Sequence, residues 1–439
     1  MGNLSLKKGI SLAALFAILT SSMVGMAWAT LTAVLLGIAG PAIILSICLA
    51  AMFSIFIGFC YAELCGALPY AGGEYVYTSR SMGSFWGFTT GWFLLLAYGT
   101  MMPAEVIILS QIINTVVPIN LIIIGVIVAV IFGAINIIGI KFSSSIQLVL
   151  SVLLFIAMGI FIISGAGSIR VENLTPFFSE GFIGMLTVVP LMMLAFMGFD
   201  IAPQAVEEVN APLRKVVFLI PLSIVFVAVF YLGVFLVSGG VAPDVLMKST
   251  NSVPIIDVAT LFLGEKGALL IMLTGALGLI TTLNAFLIGA SRLMYGMARG
   301  GVLPEPITRV HHKFGTPYVA LILLTLLGIA GAFYQELLVV LQLSSAAIVI
   351  VYILICISVI KLRKKEPDLN RPYRVPLFPL LPVISIIASL AALLIALTTI
   401  DKLGFIIFAV WLVAGLAYYL AVLRKKDLSR FLDESIINS

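Results

Sequence analysis

Four ionisable side chains, Glu63, Glu105, Asp200 and Arg292, lie inside or near the ends of long apolar runs of this sequence. A charge at the centre of a hydrocarbon layer costs several kcal/mol, so each of them needs a partner or a purpose. Glu63 and Arg292 lie near the ends of their runs, which favours a packing ion pair or a gate. Glu105 follows Pro103 deep inside a run. Because burial favours the protonated form of a carboxyl, Glu105 can carry a proton, bind an amine or be purely structural.

Two apolar runs contain glycine and polar residues that a passive membrane anchor does not need. Residues 20–27 read TSSMVGMA and residues 195–203 read AFMGFDIAP. Interrupted helices at matching places in two halves of a chain indicate a binding site at the membrane midplane, because the unwound turns free backbone N–H and C=O groups. Helix packing alone also uses glycine. Asp200, beside the second interruption, can bind a substrate amine or cap freed N–H groups.

The composition requires a membrane around these runs. Hydrophobic residues make up 62% of the 439 residues and charged residues 10%, whereas soluble domains are about a quarter charged. We therefore predict an all-α polytopic membrane protein with twelve transmembrane helices. The predicted spans are 10–36, 40–65, 87–116, 119–140, 145–165, 181–203, 215–239, 266–298, 317–334, 338–360, 376–398 and 402–423.

The basic residues predict the orientation. With the N-terminus placed in the cytoplasm, nineteen of the 24 Lys and Arg residues fall on the inner side and four on the outer side, and Arg292 lies within a span. This asymmetry predicts that both termini are cytoplasmic. It also accounts for the net charge of +5 without a nucleic-acid partner. The lipid bilayer is the expected surrounding of the chain.

The sequence offers little for catalysis or metal binding. The two histidines, His311 and His312, share one predicted inner loop, and the cysteines lie in or beside predicted spans. Their spacing fits neither a zinc site nor a nucleophile with its base. We therefore expect no enzymatic activity, no cofactor and no metal.

Several motifs, in order along the chain, resemble the amino acid–polyamine–organocation transporter family. They are 61–64 (YAEL), 69–77 (PYAGGEYVY), 198–200 (GFD), 207–212 (EEVNAP), 291–299 (SRLMYGMAR) and 371–376 (RPYRVP). The resemblance implies a LeuT-like fold with two inverted repeats of five helices and two additional helices. The implied divisions are 1–9 (cytoplasmic N-terminus), 10–165 (first repeat), 181–360 (second repeat), 361–375 (cytoplasmic loop), 376–423 (spans 11 and 12) and 424–439 (cytoplasmic C-terminus).

The resemblance also implies where a substrate would bind. An amino acid carboxylate would contact freed N–H groups of span 1, and the amine would contact freed C=O groups of spans 1 and 6. The implied substrate-binding residues are Ser22, Val24, Gly25, Met26, Ala27, Ala195, Phe196, Met197 and Gly198, with Asp200 as a further candidate. The family usually has glycine, a small residue and glycine in the span 1 turn. Met26 and Ala27 depart from this pattern and predict a smaller pocket or a weaker carboxylate contact.

The resemblance implies a secondary active transporter of amino acids or related small amines in the cell membrane, working by alternating access. Some relatives have a lysine in helix 5 in place of a sodium site, and 151–155 (SVLLF) contains none. We therefore predict proton coupling with Glu105 as the carrier. The alternative is a sodium site built from Thr281, Thr282 and the carbonyls of Ser21 and Val24, although these hydroxyls can also bond to their own helix. Polyamine or amine transport, substrate exchange and a non-transporting nutrient sensor remain alternatives.

Overall fold

The computed structural model describes residues 6–25, 28, 32–116, 118–249, 253–334 and 336–424. Within these ranges the regular structure is helical, and the β pairing found there is one isolated bridge between Ile10 and Val209. The expected all-α architecture of a polytopic membrane protein is therefore confirmed.

The α-helices of the described residues follow one another with short connections. They are α1 Leu12–Val24, α2 Thr32–Ala39, α3 Ile43–Ala67, α4 Gly73–Met82, α5 Ser84–Val116, α6 Leu121–Ile138, α7 Ile140–Ala166, α8 Gly181–Ala195, α9 Ile201–Ala205, α10 Leu213–Val241, α11 Pro243–Lys248, α12 Ile255–Leu263, α13 Glu265–Arg299, α14 Tyr318–Tyr334, α15 Leu337–Lys365, α16 Leu380–Thr399 and α17 Lys402–Tyr418. Short 3-10 helices cover Gly40–Ala42, Val171–Leu174, Val206–Glu208 and Glu305–Thr308, and a π-helix covers Tyr419–Leu423.

Each of the twelve predicted spans contains at least one of these helices. Among the described residues, nine helical segments are long and apolar enough to cross a membrane, and α1, α8 and α14 are shorter apolar helices. The 13 residues of α1 reach only about 20 Å at 1.5 Å per residue, and α2 continues through a 3-10 helix into α3 as one apolar segment, Thr32–Ala67. Predicted span 1 covers α1 and part of α2, and predicted span 6 covers α8 and the start of α9. The exact number of crossings stays a prediction.

Two boundaries differ from the prediction near the cytoplasmic loop. Helix α15 continues to Lys365, so the first five residues of the predicted loop 361–375 are helical. Helix α16 begins at Leu380 rather than at 376, because Pro376 and Pro379 precede it and proline is best tolerated at the start of a helix. The remaining loop is held by side chains described below.

A short inner helix, α4, was not predicted. It lies between Gly72 and Gly83, the two glycines that flank it. They have φ values of +95° and +97°, a conformation that glycine adopts at little cost. Most of its residues are buried, and it packs against α5, α13 and α15. Helix α4 therefore places the acidic side chain of Glu74 inside the protein.

The helix faces divide into a packed interior and an apolar outer surface. Helix α1 packs against α7, α10 and α13, and most of its residues are buried. On α17, by contrast, Val410 and Val413 are more than half exposed. Exposed aliphatic faces of this kind suit a lipid surround. The breaks of the two spans, at Gly25 and at residues 196–200, lie in the protein interior, where irregular backbone can be satisfied by other side chains.

Ion pairs hold the end of the molecule that carries most basic residues. The guanidinium of Arg363 donates to both oxygens of the buried Glu63 carboxylate, with Arg371 beside it at 3.4 Å. Arg80 binds Glu366 through two nitrogens, and its hydrogen bonds hold the pKa of the Glu366 carboxyl below its usual range. Spans 2 and 10 and the loop after α15 are therefore tied together at this end.

Candidate functional site

The two predicted helix interruptions are present, and they touch. Helix α1 ends at Val24, and Gly25 turns the chain with φ +45°. Helix α8 ends at Ala195, and Gly198 has φ +135° in the turn that leads to α9. A Cβ atom on Gly198 would lie 2.3 Å from the Ser22 Oγ, so no side chain fits between the two turns. Both turns are buried, as expected for a midplane site.

Tyr231 of α10 bridges the backbones of the two broken spans. Its hydroxyl lies 2.6 Å from the carbonyl oxygen of Met23 and 3.1 Å from that of Ala195, and it donates to one of them at a time. The ring of Phe196 packs edge-on against the Tyr231 ring. The freed carbonyls of both spans therefore converge on one point. Sequence reasoning did not identify Tyr231, because a single tyrosine in an apolar span has no distinctive spacing.

Asp200 supports the turn of span 6. One of its carboxylate oxygens accepts a hydrogen bond from the Gly198 N–H at 2.7 Å, and the other accepts one from the Tyr98 hydroxyl at 2.6 Å. The side chain is fully buried. The Asp200 carboxylate thus bridges the Gly198 N–H and the Tyr98 hydroxyl of α5, and it makes no hydrogen bond to the N–H groups of α9. A role for Asp200 in binding an amine stays a prediction.

Glu105 of α5 faces the break of span 1. Its Oε1 lies 3.9 Å from the position that a Gly25 Cβ would occupy, and the Thr282 Oγ1 lies 3.6 Å from the same point. The side chain is 6% exposed, and its Oε2 has no hydrogen-bond partner among the described residues. Glu105 is thus a buried carboxyl beside the candidate substrate site.

The buried acidic residues of the described chain fall into two groups. Glu63 and Glu208 are paired with arginines, and the Arg292–Glu208 pair joins two fully buried side chains through two hydrogen bonds of 2.6 and 3.1 Å. Glu74, Glu105 and Asp200 have no ion pair with the described residues. The paired acids join helices at the end of the molecule that is rich in basic residues, and the unpaired acids lie near the broken spans.

A backbone contact also closes this end. The N–H groups of Gly9 and Ile10 donate to the carbonyl of Glu208, and the Asn210 N–H donates to the carbonyl of Ile10. The chain before α1 and the chain after α9 are thereby joined next to the Arg292–Glu208 pair.

The two threonines of the alternative sodium site, Thr281 and Thr282, donate hydrogen bonds to backbone carbonyls. The Thr281 hydroxyl donates to carbonyls of its own helix, those of Leu277 and Gly278, each at 2.9 Å. The Thr282 hydroxyl donates to the Ser21 carbonyl at 3.2 Å. Thr282 and Ser21 are therefore brought together, whereas the Thr281 side chain turns back to its own helix.

A network of amides and hydroxyls lies behind Ser21. The Gln147 Nε2 donates to the Ser21 Oγ at 2.7 Å and to the Thr281 carbonyl at 2.9 Å. The Gln147 Oε1 accepts from the Asn284 Nδ2 at 2.7 Å, and the Asn284 Oδ1 accepts from the Asn136 Nδ2 at 2.8 Å. Helices α1, α6, α7 and α13 are held together by this network. The sequence did not predict it, because the residues that bond to each other are separated by more than one hundred positions.

The remaining predicted site residues lie at or beside the two turns. The Ser22 hydroxyl donates to the Leu19 carbonyl of its own helix. Phe196 and Met197 are buried, and the Met197 sulfur lies 3.9 Å from the Ser344 hydroxyl. Met26 and Ala27 lie outside the described residues. No group of three or more His, Cys, Asp or Glu side chains with metal-binding geometry occurs in the described part of the chain.

Gly278 of α13 gives a first test of this packing. A Cβ at this position would lie 2.2 Å from the Gly25 carbonyl oxygen. We expect Gly278→Ala to push α13 away from the break, at a cost of about 1–3 kcal/mol, and to abolish solute transport. Gly159→Ala is the matched control, because a Cβ at this other helical glycine meets no atom within 4 Å. Thermal unfolding and vesicle uptake measure both effects, and equal behaviour of the two variants would contradict the described contact.

Comparison with known proteins identifies the family of this chain. A family model described as amino acid permease matches residues 10–418. The methylthioribose transporter of Bacillus subtilis (strain 168) is 28% identical over 89% of this chain and 87% of its own length. The branched-chain amino acid permease BcaP of the same strain is 27% identical over 88% of this chain and 87% of its own length.

The gamma-aminobutyric acid permease of Escherichia coli (strain K12) is a further relative, 27% identical over 74% of each chain. These relatives are transporters rather than enzymes. The family model spans nearly the whole chain and includes both broken spans, so it confirms the resemblance read from the motifs. The chain therefore belongs to the amino acid permease family.

Proposed function

We propose that this protein is a secondary active transporter that moves amino acids or related small amines across the cell membrane by alternating access. The observation that carries the proposal is the meeting of the two broken spans, with carbonyls of Met23 and Ala195 converging on the Tyr231 hydroxyl. Carbonyls that converge in a water-poor interior suit an ammonium group, which offers three donors. An incoming amine would replace the single donor that Tyr231 supplies.

The substrate would lie across the two turns. Its amine would face the carbonyls of spans 1 and 6, and a carboxylate would face the N–H groups that follow Gly25, where Met26 and Ala27 occur. Relatives of nearly equal identity are named for methylthioribose and for branched-chain amino acids. Since these solutes differ so much, side chains such as Phe196 and Met197 would set the specificity. The bulk of Met26 favours small neutral amino acids, or amines without a carboxylate.

We further propose that uptake is coupled to protons through Glu105. This carboxyl is buried, has no arginine or lysine partner among the described residues, and faces Gly25 at the substrate site. A neutral Glu105 is the cheaper state in such surroundings. Its proton could therefore enter with the substrate and leave when water reaches the site from the other side. The hydrogen bonds already made by Ser21, Thr281 and Thr282 favour protons over sodium as the coupling ion.

We place the protein in the cell membrane with both termini in the cytoplasm, because of the strong bias of basic residues. The contacts around Arg292 and Glu208 would then form the cytoplasmic gate. In a single-cysteine variant, a Lys426→Cys thiol should react with an impermeant maleimide only after the cells are opened. Labelling of intact cells would reverse the assigned orientation.

Uptake into proteoliposomes separates a transporter from a sensor built on the same fold. Purified protein should exchange an external labelled amino acid for the same unlabelled amino acid inside the vesicles. A panel of small neutral amino acids, polyamines and methylthioribose identifies the solute class. Binding of a solute, seen as a raised unfolding temperature, without any exchange would identify a sensor and overturn the proposed transport.

A further inference from the structure

Glu74 is a second buried carboxyl that the coupling mechanism above does not use. It lies in the first turn of α4 and is fully buried. The Gln204 Nε2, on α9, donates a hydrogen bond to the Glu74 Oε2. The other oxygen of each group, the Glu74 Oε1 and the Gln204 Oε1, has no hydrogen-bond partner among the described residues. The carboxyl and the amide thus share one hydrogen bond, and the two remaining oxygens have no donor between them.

The surroundings of Glu74 contain acids and phenols. A negative charge on Asp200 would repel a negative charge on Glu74, and the Tyr61 hydroxyl lies beside the carboxyl. The titratable groups that act on Glu74 or on its immediate neighbours, from the elements packed around it, are Tyr61, Cys65, Tyr77, Tyr98, Asp200 and Tyr352. Arg292 on α13 is occupied by Glu208 and by the Ser291 hydroxyl. None of these six titratable neighbours supplies a positive charge.

Two carboxylates that are buried near each other without a cation are both costly, and one bound proton removes the repulsion. Asp200 already accepts two hydrogen bonds, from Tyr98 and from the Gly198 N–H, which stabilise its ionised form. Glu74 accepts one hydrogen bond from the Gln204 amide, whose oxygen has no donor among the described residues. A proton on the Glu74 Oε1 would donate to the Gln204 Oε1 and complete a two-bond ring.

We propose that the Glu74–Gln204 pair is a proton-binding site, occupied in this conformation, between the broken spans and the cytoplasmic end of the protein. The proposal rests on the proposed proton-coupled transport for its role in the cycle. Tyr98, which binds Asp200, lies seven residues before Glu105, about 10 Å away along the same face of α5. A proton leaving Glu105 would cross this region and rest on Glu74 before release to the cytoplasm. No bond other than the O–H bonds changes.

Infrared spectroscopy of the purified protein tests the bound proton directly. A protonated carboxyl has a C=O band distinct from that of a carboxylate. At neutral pH we expect Glu74→Gln to remove one such band, and Gln204→Leu to shift that band to higher frequency because its hydrogen bonds are lost. Glu265→Gln, which changes an exposed acid, should leave the band unchanged. A protonated-carboxyl band that is unchanged in Glu74→Gln would overturn the proposal.

Folding and coupling can be judged separately. Glu74→Gln has the shape of the protonated acid and keeps a partner for Gln204, so we expect it to fold, with gel filtration and thermal unfolding as checks. If Glu74→Gln does not fold, Glu74→Asp should retain a protonated-carboxyl band of altered frequency, and an unaltered band would overturn the proposal. If uptake proves to be sodium-driven, the proposed coupling fails, and the infrared result still decides whether Glu74 binds a proton.

The role in transport has its own measurement. We expect Glu74→Gln to slow proton-driven net uptake by about a hundredfold, as for loss of a positioned proton-transfer group, while exchange of substrate for substrate is retained. Net uptake and exchange that slow equally would show a structural role and overturn the relay.

Discussion

Glu105→Gln is expected to abolish accumulation of substrate driven by a pH gradient while leaving exchange of substrate for substrate largely intact. Glutamine has the size of the neutral acid and can occupy the same space beside Gly25, but it cannot release a proton. The permanently neutral side chain should therefore allow the loaded carrier to change conformation and prevent the empty carrier from returning. A loss of net uptake by about a hundredfold or more is expected, in line with other positioned proton-transfer groups.

The control for this result is Glu265→Gln, which removes an exposed acid at the start of α13. It should transport like the unmodified protein. If Glu105→Gln lowers exchange and net uptake equally, Glu105 binds the substrate amine or supports the fold. If Glu105→Gln accumulates substrate normally under a pH gradient, Glu105 is not the carrier.

Gly198→Ala is expected to cause a severe loss of transport, comparable with that of Gly278→Ala. The added Cβ would lie 2.3 Å from the Ser22 Oγ and 3.0 Å from the Met23 backbone nitrogen, so the two turns must separate. A misplacement of about 1 Å at a reacting or binding centre can cost a hundredfold in rate, and we expect at least that loss of transport. The positive φ of Gly198 adds backbone strain.

Gly181→Ala separates strain from contact. Gly181 also has a positive φ, +72°, but a Cβ there meets no atom within 4 Å. Its replacement should cost only about 1 kcal/mol of stability and leave uptake unchanged. Gly25→Ala should lie between the two variants, because its neighbours Thr282 and Glu105 are 3.6 and 3.9 Å from the added atom. Similar loss in Gly181→Ala and Gly198→Ala would mean that the contact between the turns is unimportant.

The sequence was sufficient to predict the all-α architecture and to locate both breaks. Apolar runs of about twenty residues have no stable alternative to a membrane helix, and Gly25 and Gly198 do lie at the ends of α1 and within the turn after α8. The predicted end of span 10 was wrong, because the helix continues beyond residue 360. Helix α15 continues to Lys365 because Arg363 is held by Glu63 and Lys365 donates to the Arg80 carbonyl.

The partners of the site residues were not predictable. Tyr231 lies 208 residues from Met23, and Tyr98 lies 102 residues from Asp200. Residues so far apart form no local sequence pattern, so neither contact could be predicted. Gln147 and Asn284, which bond to each other, are likewise 137 residues apart. The structural role of these two side chains depends on how the helices are arranged, because a buried amide is stable only where another chain segment supplies its donor and acceptor. Glu74 was part of a recognised motif, but α4 had to be seen before its burial was known.

Transport by the unmodified protein in proteoliposomes, under one imposed gradient at a time, tests the coupled-transport account most directly. With acid outside, a matched interior buffer and no sodium, labelled amino acid should accumulate inside the vesicles above its external concentration. The accumulation should collapse when a protonophore is added, and a sodium gradient without a pH gradient should give only equilibration. Accumulation that requires sodium, ignores the protonophore and is lost in Thr282→Ala would contradict proton coupling through Glu105.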